Sequence, residues 1–174
     1  MRSKLLFCSF ILFLIPAILC AQSSERFDGD LMKYIETTSE LEKFAEYLKY
    51  AELSILEEAG EFTVFATENA AYGEWEGPMM KLSSDRRQLS HFLKYHFVLG
   101  AWDTSSIEER LSTDGDFELT TLAGPNLRVR REGKLIFIYD EADRFVSLDG
   151  KGVNASNGIL YSIEGVLVPL NGPQ

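Results

Sequence analysis

Cysteine is almost missing from this chain: among 174 residues there are two, Cys8 and Cys20, both near the N-terminus. A disulfide-built scaffold is therefore excluded for everything downstream, and a fold there must be held by its apolar core. Histidine is as scarce, with only His91 and His96, so general bases and zinc donors are in short supply. Positive charge is also thin, with 17 Lys and Arg against 27 Asp and Glu and a net charge of −10. Such a field repels a phosphate backbone, which excludes nucleic acid as a partner. The one basic cluster, Arg128-Val129-Arg130-Arg131, does not alter this, because Arg128 and Arg130 alternate with Leu127 and Val129 as the polar face of a strand would.

Long hydrophobic runs are few. The one at residues 5–19 is broken only by Ser9 and Pro16, is preceded by Arg2 and Lys4, and leads to Ala21 before Gln22. That order is the order of an export signal, expected to occupy residues 1–21. The run falls short of the ~20 apolar residues that span a bilayer, and Pro16 would disrupt a permanent membrane helix. Cleavage after Ala21 would remove both cysteines and two bases, leaving 153 residues with a formal charge of −12. That length suffices for one domain. Attachment to a membrane would require lipidation of Cys20, but Ala17-Ile18-Leu19 lack the small residue that bacterial lipoproteins place at the cut. The expected location is therefore secreted, extracellular or periplasmic.

No repeat, linker or low-complexity tract divides residues 22–174. Residues 22–27 read as a loose polar arm, 28–169 as the folded domain and 170–174 as a tail. Leu31 and Ile35 suggest a short helix. Ser39-Glu40-Leu41-Glu42 has capping-box spacing, and Leu41, Phe44, Ala45, Leu48 and Ala51 follow at helical intervals, with the helical zone ending around Leu56 and Gly60. Residues 62–67, FTVFAT, read as a strand, with Thr67 as N-cap of a brief helix through Tyr72. Residues 73–78 are rich in turn formers. A second helix begins near Ser84 or Asp85, with Leu89, Phe92, Leu93 and His96 as its stripe. From Phe117 onward, 119–121, 127–131, 135–139, 145–148 and 159–168 read as strands separated by turn formers such as Ala123-Gly124-Pro125-Asn126. Helices mostly N-terminal and strands mostly C-terminal indicate an α+β domain with an antiparallel sheet system.

Three segments, in order, resemble the fasciclin domain family: FTVFATENAAY at 62–72, LKYHFVLG at 93–100 and ASNGILYSIEGVLVP at 155–169, with Thr121-Leu122-Ala123-Gly124 between the last two. The resemblance covers most of residues 28–169. It implies a β-sandwich or wedge with helices packed against it, exported and used in adhesion rather than catalysis. Two departures stand out: Glu68 or its neighbour occupies a position where the family usually has proline, and Trp75 lies in a short 73–82 segment where small residues are frequent. In the family, Tyr95-His96 would be a packing and hydrogen-bonding element linked to adhesion.

The junction Asn154-Ala155-Ser156-Asn157-Gly158 has three readings. It satisfies a glycosylation sequon. It contains a serine, but not the Gly-x-Ser-x-Gly frame of a hydrolase. It also has the residues that fix where a strand begins: Asn154, Ser156 and Asn157 to bond backbone N–H groups, and Gly158 to take positive φ. We expect the third, with Ile159, Tyr161 and Ile163 on one face, Leu160 on the other, and a bend at Gly165. His91 and His96 are five apart, roughly 140° around a helix, so they do not form a chelating pair; His96 is expected to be buried. Asp140, Glu141 and Asp143 lack an EF-hand pattern and read as a solvated charged turn. Asp28-Gly29-Asp30 and Asp114-Gly115-Asp116 likewise read as turns. Trp75 and Trp102, in predicted loops, are the candidate contact aromatics, or else caps on the core's edge.

No catalytic residue, cofactor or metal is expected. The leading expectation is a single-domain, exported binding or adhesion module for a surface protein or a matrix polymer. The alternative is a small-ligand carrier or enzyme with a cleft between helices and sheet.

Overall fold

The computed structural model describes residues 25–53, 61–148, 150 and 152–170. The export signal, residues 22–24 of the polar arm, the helix end near Gly60 and the last four residues of the tail lie outside the described residues. Among those described, the order is β1 (Glu25–Arg26), α1 (Leu31–Thr37), a 3₁₀ turn (Ser39–Leu41), α2 (Glu42–Tyr50), β2 (Phe62–Thr67), a second 3₁₀ turn (Asn69–Gly73), α3 (Glu76–Ser83), α4 (Arg86–Lys94), β3 (Phe97–Leu99), α5 (Thr104–Asp114), β4 (Phe117–Thr120), β5 (Asn126–Glu132), β6 (Leu135–Tyr139), β7 (Phe145–Ser147), β8 (Val153–Ala155) and β9 (Gly158–Ile163).

The strands make two sheets: β1-β8-β9-β2-β3, in which β2 and β9 run parallel, and the antiparallel meander β4-β5-β6-β7. The five-stranded sheet is covered on both sides. On one side Val64, Ala66 and Leu160 pack under Leu31 and Ile35 of α1, Phe44 and Leu48 of α2, Met79 of α3, and Phe92 of α4. On the other, Phe65, Ile159, Tyr161 and Ile163 meet Leu119, Leu127, Val129, Ile138 and Val146 of the four-stranded sheet. Because β2 lies between two cores, all six of its residues are buried, which is why FTVFAT shows no polar face. The α5 helix adds Ile107 and Leu111 to the core between the sheets. A bridge between Val98 and Thr121, with the Leu122 N–H donating to the Phe97 carbonyl at 2.8 Å, joins the two sheets along one side.

Several local expectations require correction. The capping box at Ser39 does not form: the Ser39 hydroxyl bonds Glu40, and residues 39–41 are a 3₁₀ turn before α2. The missing cap comes from Asn69, whose Oδ1 accepts from the Lys43 N–H at 2.9 Å while its Nδ2 donates to the Ser39 carbonyl at 2.7 Å. Thr67 stays in β2 as a buried residue, and Glu68 takes the cap position instead. Residues 76–78, read as a turn, open α3. The last strand stops at Ile163, five residues earlier than the pattern suggested. Asp85 does cap α4, accepting from the N–H groups of Arg87 and Gln88.

Candidate functional site

Residues 154–158 tie three parts of the chain together. Asn157 Oδ1 accepts from the Leu31 N–H at 2.8 Å, which satisfies the first residue of α1 from 126 positions away. The Ser156 N–H donates to the Gly29 carbonyl at 2.8 Å, and the Asn157 carbonyl accepts from the Phe62 N–H at 3.3 Å. Gly158 has φ +149°, and a Cβ there would stand 2.0 Å from the Phe62 carbonyl oxygen. No side chain fits where β9 meets β2. Asn154, the sequon asparagine, is half-buried in β8, which pairs with β1 on one side and β9 on the other. Ser156 is exposed, and neither histidine is bonded to it.

Tyr95 and His96 end α4 inside the molecule, both fully buried. The Phe92 carbonyl can only accept, so its 3.1 Å contact places the proton on His96 Nδ1. Nε2 is then left to accept from the Thr67 hydroxyl at 3.3 Å. The ring sits between Phe44 and Phe92, with centroids at 5.9 and 5.0 Å. Burial pushes its pKa down to about 4, outweighing the opposing backbone hydrogen bond. The Tyr95 hydroxyl donates to the Asn126 carbonyl at 3.3 Å and accepts from the Glu141 N–H at 3.2 Å, joining the helical end to two loops of the second sheet. Burial raises its pKa. Neither ring reaches the surface. His91, by contrast, is exposed.

The two tryptophans part company. Trp102 is half-buried and internally committed: its indole N–H donates to the Leu99 carbonyl at 3.0 Å, its backbone N–H to Thr63 Oγ1 at 2.8 Å, and its ring tilts against Phe117. Trp75, also half-buried, has the Arg144 guanidinium over its ring at 5.3 Å. It lines a shallow cleft of about 450 Å³ with Pro78, Ala142, Arg144, Pro169 and Leu170.

The acidic turn between β6 and β7 is solvated at Glu141 and Asp143, as its composition suggests, but not at Asp140. Asp140 is 1% exposed. Its Oδ1 accepts from the N–H groups of Ala142 and Arg144, and its Oδ2 from Arg144 Nε at 2.8 Å and the Val168 N–H at 3.2 Å. Glu141 accepts from the Leu170 N–H, and Asp143 pairs with Arg128. All three carboxylates are thus engaged by protein donors, and among the described residues no cluster of His, Cys, Asp or Glu could hold a metal ion.

The feature that sequence reasoning missed is the outward face of the four-stranded sheet. Inward residues of this sheet, such as Leu119, Leu127, Val129, Ile136, Ile138 and Val146, are buried. Alternation sends their neighbours outward, where a sheet open to water should be polar. On β4 and β5 it is, with Glu118, Thr120, Arg128 and Arg130. On β6 and β7 it carries Leu135, Phe137, Tyr139 and Phe145, with Leu135 49% and Phe145 60% exposed. Phe137 meets Phe145 edge to face at 5.3 Å and 85°, and Tyr139 tilts against Phe145 at 5.4 Å. Arg128 and Arg130 stack over Tyr139 at 5.7 and 5.4 Å and pair with Asp143 and Asp116. The signal was available: LIFIY at 135–139 never alternates.

Comparison with known proteins agrees with this architecture. The Fasciclin domain family model matches residues 39–169. Two curated relatives, the cell surface glycolipoproteins MPB83 of Mycobacterium bovis and MPT83 of Mycobacterium tuberculosis, are 30% identical over 112 residues, covering 63% of this chain and 44% of theirs. The chain thus spans less than half the length of these relatives. A solved FAS1 domain pair from the insect cell adhesion molecule fasciclin I has the same fold, with a TM-score of 0.70 at 16% identity over 80% of this chain and 51% of that one. With a family match across most of its length, the chain belongs to the fasciclin domain family.

Proposed function

We propose that this chain is an exported, non-catalytic binding module that holds a protein or matrix component at the cell surface, and that the outward face of its four-stranded sheet makes the contact. One observation carries the reading: Leu135 and Phe145 stand exposed on a sheet face that no other layer of the fold covers, and the half-buried Phe137 and Tyr139 beside them are covered by that face's own rings and arginines. Apolar residues clustered outward, with aromatics and arginine together, are the composition of a contact surface. The resemblance to a cell surface glycolipoprotein and to a cell adhesion molecule supports it, as does the signal-like segment 1–21. Among the described residues, the space between the helices and the five-stranded sheet is filled by Leu31, Phe44, Val64, Phe92 and Leu160, each no more than 1% exposed, which supports a binding module over a carrier with an internal cleft.

The test is adhesion of protein-coated beads to the surface and matrix of the producing cells. The double variant Leu135→Ser, Phe145→Ser is expected to keep its melting temperature, because both side chains are exposed, and to lose about tenfold or more in adhesion. Undiminished adhesion of the folded double variant overturns the assignment.

A further inference from the structure

The outward face carries charge as well as rings, and we infer that its partner is a protein surface with basic side chains around an apolar centre. This rests on the reading of that face as the contact. Arg128 and Arg130 are already matched by Asp143 and Asp116. Glu118 and Glu132 accept from neutral groups, the Asn126 amide at 2.7 Å and the Tyr139 hydroxyl at 2.8 Å. Glu118 also faces Arg128 across the strands and Glu132 lies in the field of Arg130, so beside the rings the four carboxylates of Asp116, Glu118, Glu132 and Asp143 share two guanidiniums. Arg131 and Lys134, both exposed, stand at the β5–β6 hairpin end and oppose this at one margin only. Beyond the face, the whole chain carries −10, which draws a basic partner toward it. A second copy brings the same charge, and sulfated or uronic polysaccharides are anionic, so the field repels both.

The geometry of the rings points the same way. Phe137 and Phe145 stand at 85° to each other, and Phe137 and Tyr139 at 62°. These steep angles make a faceted surface that accepts protruding side chains, rather than a plane on which sugar rings stack. Aromatic faces and edges bordered by carboxylates suit the stem and ammonium of lysine, or a guanidinium.

The test titrates the isotope-labelled full chain with three probes: a strand-forming peptide alternating lysine with leucine and phenylalanine, the same peptide with glutamate for each lysine, and heparin. Sedimentation of the chain alone accompanies it. The lysine peptide is expected to bind about tenfold or more tightly than the glutamate peptide, perturbing the resonances of Leu135, Phe137, Tyr139 and Phe145. Its affinity should fall about tenfold between ~50 and ~300 mM salt. The variant E118Q/E132Q, which keeps hydrogen-bonding groups, should lose about fivefold in that affinity and show a flatter salt dependence at an unchanged melting temperature. Heparin should not bind, and the chain should sediment as a monomer. The inference is overturned by equal or tighter binding of the glutamate peptide or heparin, by dimerisation through this face, by perturbations spread over acidic surface elsewhere, or by an unaffected E118Q/E132Q. If the Leu135→Ser, Phe145→Ser variant loses cell adhesion while the lysine peptide shows no preference, the contact face stands and the partner class falls. If adhesion also persists, both fall.

Discussion

Gly158 and His96 show how single positions constrain the interior. The space at Gly158 is closed by backbone, the Phe62 carbonyl, which cannot swing aside as a side chain could. Gly158→Ala therefore has to push β9 away from β2 along a six-residue parallel ladder. It is expected to lower unfolding free energy by about 3 kcal/mol or more in denaturant titration; a change under about 1 kcal/mol would mean that the strands separate freely there. His96 is held neutral in the core, with a folded pKa of about 4, against ~6.5 in the unfolded chain. The unfolded state therefore takes up the proton first as pH falls. The stability associated with the neutral ring is complete above about pH 6.5 and is lost progressively toward pH 4, up to about 3 kcal/mol. The stability difference between the chain and a His96→Gln variant should shrink over that window, and a pH-independent difference would refute the buried neutral ring. At neutral pH, His96→Ala should lower the melting temperature several degrees more than His91→Ala, since only the former leaves a cavity and strips Thr67 of its partner.

At the scale of elements, distant asparagines complete two helix starts: α1 has its local Asp30 cap and gains a second acceptor from Asn157, whereas α2 takes its cap from Asn69. Asn157 reaches α1, and Asn69 reaches α2 while holding the turn before it. Removing the Asn69 amide leaves the Lys43 N–H and the Ser39 carbonyl to water, so Asn69→Ala should cost about 1–2 kcal/mol in thermal or denaturant unfolding. Asn69→Asp should recover part of that, because its carboxylate still accepts from Lys43 at a helix N-terminus. An equal loss in both variants would show that the cap contributes nothing. The same pattern explains which parts of the fold were legible. The hairpins of the second sheet, the two faces of β9 and the Asp85 cap follow from local alternation and turn chemistry. The Ser39 box failed because residues 39–41 form a 3₁₀ turn that starts α2 only at Glu42, where the remote Asn69 accepts from the Lys43 N–H instead. The α3 helix was hidden by Gly77 and Pro78 in its first turn, and α5 by a stripe of only Ile107 and Leu111, although Asp103 and its 2.7 Å bond to the Ser106 N–H gave a readable start. Asp140 looked solvated because one of its donors, Val168, lies 28 residues away. The run LIFIY was visible, but five apolar residues in a strand usually mean cover on both sides. Only the arrangement of the layers shows that one side is bare.

On the whole-molecule scale, the order of layers is helices, five-stranded sheet, four-stranded sheet, and then open solvent. Helices α1–α4 cover the outer side of the first sheet and α5 packs into the core between the sheets, so the one broad sheet surface left uncovered among the described residues is the face bearing Phe137, Tyr139 and Phe145. Four strands about 4.8 Å apart and some 20 Å long present on the order of 400 Å². Stable protein complexes bury about 800 Å² per partner. A single copy is therefore expected to hold weakly, with lifetimes suited to a contact that forms and breaks, and firm attachment has to come from several copies acting together. Fusing the chain to a dimer-forming coiled coil should slow its release from a cell or matrix surface about 100-fold relative to the monomer, as measured by surface dissociation rates. Carrying Leu135→Ser and Phe145→Ser in both copies should remove that gain, because the second arm would rebind through the same altered face. If the monomer already releases as slowly as the dimer, the contact is larger than this sheet, and the cleft beside Trp75 and Arg144 becomes the next surface to mutate.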